Sequence, residues 1–186
     1  VAVYSFPLFA LFVTSDQTCS DKARGTLRFI TLRATRSEIL IGRFLGQYLI
    51  IVALIFLTLV ACIALAAARD SALLFPAIQQ AIVLFIELSI LITPFIALMS
   101  FFNSVLSSAK MSIVVSILFY TIGALLIGFI QFRLNSGYFL DYIFPGTQIS
   151  KVVALEGLDF KHYLIPLLQT VVLLFVADKL LKRASI

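Results

Sequence analysis

The sequence predicts an all-α polytopic membrane protein, and three observations predict it. The 186 residues are 62% hydrophobic and 12% charged, about half the charge of a soluble domain. Uninterrupted apolar runs reach the ~20 residues that a bilayer-crossing helix needs. These runs do not alternate with period two, so the crossings are expected to be helices rather than barrel strands.

The elements follow in order along one transmembrane domain, 1–186. Residues 1–14 are apolar but too short to cross. They begin without Met and are expected to be the partial end of a helix with a span upstream. No basic leader or small-residue cleavage site marks them as a signal peptide. Residues 15–38 form a polar segment rich in arginine. Residues 39–68 are long enough to cross with tilt. Arg69, Asp70 and Ser71 make a polar break. Residues 72–102 cross back, with a kink expected at Thr93–Pro94. Residues 111–132 cross again after a short loop. Residues 133–162 form a mixed outer loop, in which Tyr138, Phe139, Tyr142, Ile143 and Phe144 suit an interfacial belt and Val152, Val153 and Leu155 suit a short apolar helix. Residues 163–181 form the last span. The count is about four complete transmembrane helices and one partial N-terminal helix.

Orientation follows from lysine and arginine. With 15–38 inside, Lys22, Arg24, Arg28, Arg33, Arg36, Arg43, Lys110, Lys179, Lys182 and Arg183 are cytoplasmic. Arg69, Arg133, Lys151 and Lys161 are outside. This positive-inside bias puts the C-terminus in the cytoplasm.

The basic segment is patterned. On a helical wheel Ala23, Leu27, Ile30 and Ala34 share one stripe, and Arg24, Arg28, Thr31 and Thr35 share another. That is an amphipathic helix along the membrane surface. Asp21 near its start suits the positive helix end. Gly25 is a weak helix residue, so a bend or irregular first turn is allowed. On periodicity alone, an anchor on anionic lipid and a docking helix both remain open.

The order of residues adds to this. Asp21, then Arg24–Gly25–Thr26–Leu27, then Ala34–Thr35–Arg36, then Ile41–Gly42–Arg43–Phe44–Leu45–Gly46 resembles the cytoplasmic segment of the ABC-2 type permeases, the membrane subunits of many bacterial ABC exporters. Asp21 stands where that family usually has Glu, and the Pro often found before Arg36 is absent. The layout of one span before the segment and four after it resembles the family too. Residues 143–157 resemble its outer segment of short helices.

The resemblance implies a cytoplasmic coupling helix that docks on a separate ABC ATPase. Asp21, Arg24, Gly25, Thr26, Leu27, Arg28, Ile30 and Arg33 would form it. Arg24, Arg28 and Arg33 are candidates for contact with the ATPase or lipid headgroups. Arg36 and Arg43 are expected at the membrane interface, snorkelling or pairing with Glu38. The resemblance further implies a bacterial inner membrane and a second permease copy, or a related permease, as partner. No nucleic-acid partner is expected.

Other chemistry is not legible. No Gly-x-x-x-x-Gly-Lys-Ser/Thr loop is present, so ATP and Mg are expected in the partner, with no cofactor in this chain and no enzyme activity of its own. The lone His162 has no metal-ligand spacing to Cys19 or Cys62, and a disulfide between those cysteines is not expected. Glu87 is the acidic residue in the middle of a span, and Gln80 shares its face seven residues earlier. Together they either line a path or make structural hydrogen bonds. Ser112, Ser116 and Tyr120 form a stripe that suits helix packing or a path. Gly42 and Gly46 have the spacing of a close-packing patch. The reading is the permease of an ATP-driven exporter. Its alternatives are a membrane scaffold or assembly factor of the same fold that transports nothing, and an ion-coupled secondary transporter working through Glu87.

Overall fold

The computed structural model describes residues 2–16, 19–106, 108–134, 143–146 and 160–183. Among them there are helices and turns but no strand. Four helical stretches are long and apolar enough to cross a membrane: Arg36–Arg69, Leu74–Val105, Ala109–Arg133 and Tyr163–Lys182. The protein is a multi-pass membrane protein of all-α class.

Helix α1 spans Ala2–Val13. Two short helices follow, α2 (Cys19–Arg24) and α3 (Leu27–Ile30). The single amphipathic helix expected over this segment is therefore broken. Gly25 sits at φ +70, a left-handed conformation that glycine adopts without a Cβ penalty and that stops a right-handed helix.

Helix α4 spans Arg36–Arg69. Its start is fixed by a capping box: the Thr35 side chain accepts from the Glu38 backbone N–H at 3.3 Å, and the Thr35 N–H donates to Glu38 Oε2 at 2.7 Å. Glu38 is thus engaged by Thr35. At 34 residues α4 is about 51 Å long, against a hydrocarbon core of ~30 Å, so it tilts or extends past the interface. Asp70 ends it and caps the next turn by accepting from the Ala72 N–H at 2.9 Å.

The stretch crossing back is two helices, α5 (Leu74–Leu91) and α6 (Thr93–Val105). They part at Ile92, and Pro94 occupies the first turn of α6, where its missing N–H costs nothing. Helix α6 is the centre of the bundle, with every residue from Thr93 to Ser100 buried. One apolar cluster joins Ala10 of α1, Phe44, Ile51 and Ile55 of α4, Leu88 of α5 and Ile96 of α6. A second joins Leu11, Phe95 and Met99 with Ile113 and Tyr120 of α7 (Ala109–Leu134). A third joins Leu40 with Ala177 and Leu181 of α8 (Phe160–Arg183).

The short outer helices expected within 133–162 fall mostly outside the described residues, as do Tyr138, Phe139, Tyr142, Val152, Val153 and Leu155. The described part is the turn 143–146, and it sits deep. Phe144 stacks against Phe119 and Tyr120, with ring centroids 5.8 and 5.9 Å away. Those residues precede Leu134, the end of α7, by fifteen and fourteen positions, roughly 20 Å along the helix. Gly123 faces the Phe144 ring where a Cβ would collide with it, and Gly146, at φ +102, would place a Cβ 2.9 Å from Phe95. Backbone at that depth is tolerated because it is covered by protein, with Pro145 buried.

Candidate functional site

The ends of α1, α6 and α8 and the start of α4 gather with the basic segment at one end of the bundle, and four polar ties hold them there. Cys19 is buried, and its thiol donates to Asn103 Oδ1 at 2.9 Å, with the Leu106 carbonyl 3.5 Å from the sulfur. Asn103, also buried, donates to the Thr14 carbonyl at 3.4 Å. Cys19, in the cytoplasmic segment by sequence, is thus part of a knot between the end of α1, α2 and α6.

Asp21 makes the second tie. Its Oδ1 accepts from the Thr26 hydroxyl at 2.9 Å, across the Gly25 break. Its Oδ2 accepts from Arg43 Nη2 on α4. The Arg43 hydrogen bond, and after it the Thr26 hydroxyl, hold the Asp21 carboxyl below its ordinary value near 3.8, against the opposing pull of partial burial.

The third and fourth ties join α4 to α8. Arg36 Nη1 donates to the Leu181 carbonyl at 2.7 Å and the Lys182 carbonyl at 3.3 Å. These carbonyls lie in the last turn of a helix, where acceptors lack intrahelical partners. Ser37 donates to Asp178 Oδ1 at 2.7 Å, and Lys182 donates to Asp178 Oδ2 at 2.6 Å. Arg36 and Arg43 therefore serve contacts inside the protein, with partners far along the chain.

The surface left outward is not the expected one. Phe29 is 73% exposed and Leu32 is 82% exposed, while Ile30 is half-buried. Arg24 and Arg33 are exposed beside them. The side chains of Leu27 and Arg28 fall outside the described residues. A turn at residues 31–33 replaces the last helical turn of the expected wheel, and Phe29 and Leu32 stand outward in place of Ile30.

The intramembrane residues separate. Glu87 is buried, and the Tyr163 hydroxyl of α8 lies 3.4 Å from its Oε1. Gln80 is exposed. The two share a face, but seven residues put them about 10 Å apart along α5, and the bundle covers Glu87 and not Gln80. Ser112 and Ser116 are buried against α6: Ser116 Oγ lies 3.1 Å and Ser112 Oγ 3.9 Å from Met99 Sδ. Ser116 also donates to the Ser112 carbonyl at 2.7 Å. Tyr120 meets Phe95 edge-on at 5.5 Å. This stripe packs α7 onto α6. Gly42 and Gly46 do not form the expected close contact among the described residues, since nothing there lies within 4 Å of a Cβ at either.

An apolar cleft of about 380 Å³ lies between α6, α7, α8 and the 143–146 turn, lined by Leu98, Phe119, Phe144, Leu168 and Val172, with Gln169 as its polar member. No group of three or more His, Cys, Asp or Glu that could hold a metal ion occurs among the described residues. Neither Cys19 nor Cys62 is in a disulfide.

No protein-family model matches the chain, and no curated protein matches it.

Proposed function

We propose that the chain is the permease subunit of an ATP-driven ABC exporter of the bacterial inner membrane, coupled to a separate cytoplasmic ATPase. The basic end of the bundle faces the cytoplasm, and a second copy or a related permease completes the transmembrane path. The observation that carries this reading is the outward surface of α3 and the turn after it. Phe29 and Leu32 are exposed there, between Arg24 and Arg33 in the sequence, on a segment that Cys19, Asp21 and Thr26 anchor to the bundle. Exposed aromatic and aliphatic groups flanked by arginine are what a protein-docking surface needs: anchors for a groove and directed charges for orientation. The ATP chemistry belongs to the partner. This chain's part is to bind it and to pass its closure to the helices.

The test replaces the anchors. Phe29→Asp with Leu32→Asp puts two charges against the groove, and each lost anchor costs roughly 2 kcal/mol, about 30-fold in affinity. The doubly altered chain is expected to insert normally, since its spans are untouched, and to lose co-purification with the ABC ATPase that the unaltered chain binds. A lipid anchor gives the opposite result. Four spans already hold the protein in the bilayer, so the ATPase would stay bound, and that outcome would end the docking reading.

A further inference from the structure

We propose that Asp21 is a mechanical joint: one carboxylate that locks the broken basic segment onto α4, so that the segment and α4 move as one body. The need for a joint follows from length. Helix α2 has six residues and α3 has four, and isolated helices below ~12–15 residues are marginal in water. Gly25 between them is in the left-handed region, a point where the chain hinges freely unless something spans it. Asp21 spans it. Oδ1 takes the Thr26 hydroxyl on the far side of the glycine, and Oδ2 takes Arg43, twenty-two positions along the chain on α4.

A surface ion pair is ordinarily worth little. This one differs in two ways. Both side chains are partly covered, Arg43 at 21% and Asp21 at 32% exposure, and the carboxylate uses both oxygens on different elements. Charge-assisted bonds in that setting hold geometry as well as energy. The chain of contacts then continues, because Arg36 and Ser37 bind α4 to the last turn of α8. A displacement of α3 is carried through Asp21 to α4, and through Arg36 to α8.

Asp21 and Arg43 are positioning residues under this proposal. Its consequence for transport rests on the permease reading, whereas the joint itself does not, and the experiment separates the two. A nitroxide is placed on Phe29→Cys in a Cys62→Ser background, in the purified full chain without ATPase. Arg43→Ala, which loses the charged hydrogen bond alone, is expected to raise the ratio of mobile to ordered label about tenfold, and Asp21→Ala, which loses the Thr26 bond as well, to raise it at least as much. The reversed pair, Asp21→Arg with Arg43→Asp, is expected to restore order, with helicity confirming that each variant folds. Unchanged label order in both single variants, or no recovery in the reversed pair, would overturn the joint.

The second readout uses proteoliposomes of the unlabelled chain with its ATPase. Arg43→Ala is expected to keep the ATPase bound yet lose permease-dependent stimulation of ATP hydrolysis, and the reversed pair to regain it. Stimulation that survives Arg43→Ala while the label loosens would overturn the lever. If the unaltered chain binds no ATPase at all, the permease reading fails, and the label result alone still decides the joint.

Discussion

At one end of α4, Arg36, Ser37 and Arg43 are bonded to α8 and α2. At the other end Leu57, Val60 and Leu65 stand exposed, and no α4 residue beyond Ile55 is buried. One helix thus has a tied half and a bare half. The difference reflects where polar contacts are available. In a bilayer, apolar surface gains little by leaving lipid for another apolar helix, so register is set by close packing and by hydrogen bonds. The polar ties of α4 to α2 and α8 lie at its basic end, and the helix is fixed there. The far half of the α4–α5 hairpin shows one aromatic contact between the helices, Phe56 edge-on to Phe85 at 6.1 Å.

The largest effect is expected where the tied end is buried. Asn103→Leu removes the acceptor for Cys19 and the donor to the Thr14 carbonyl inside the knot. Buried groups left without partners cost about 1–3 kcal/mol. The variant is expected to unfold at lower temperature in detergent by an amount matching about 2 kcal/mol. Cys19→Ala is expected to cost less, because a thiol is a weak donor. Equal losses from the two would move the weight of the knot away from Asn103.

At the bare end the same measurement is expected to find almost nothing. Leu65→Ala trims a side chain with no buried neighbour to leave a cavity beside, so the change should stay within about 0.5 kcal/mol. A loss above 2 kcal/mol would show that this face is packed in the working protein, against a second copy of the chain. The comparison would then become one between two kinds of contact.

The sequence foretold the helices and their breaks better than the contacts between them. Hydropathy marks a span by composition, and Gly25 and Pro94 mark breaks by backbone chemistry; each signal is local. The ties are not local. Nothing near Arg36 points to the carbonyls of Leu181 and Lys182, and the nearby Glu38 was the natural partner to expect until Thr35 is seen to engage it. Gln80 and Glu87 were paired by angle around α5, which periodicity reports, but they are separated by depth, which it does not. Gly42 and Gly46 carry a packing pattern that the described residues do not use. The acidic, Thr and basic positions at 21, 26 and 43 were visible as a pattern. Their meeting on one carboxylate needed the fold, because a turn and the start of α4 bring them together.

The smallest effect expected is that of mild acid on the tied end. Asp21 has its carboxyl held below 3.8, first by the Arg43 hydrogen bond. A carboxylate with a depressed folded value stabilises fully at every pH above its ordinary value, and that stability is lost only as the pH falls through the lower, folded one. The order of a label at position 29 should therefore be flat from pH 8 to pH 5 and should fall only below about 3.8. Arg43 and Arg24 are the cations acting on this carboxylate. Loosening between pH 7 and pH 6 would mean that a group other than Asp21 holds the segment, since no carboxylate stabilised by an arginine titrates there. The tie would then have to be sought elsewhere in the knot, and the difference between the two ends of α4 would no longer rest on this ion pair.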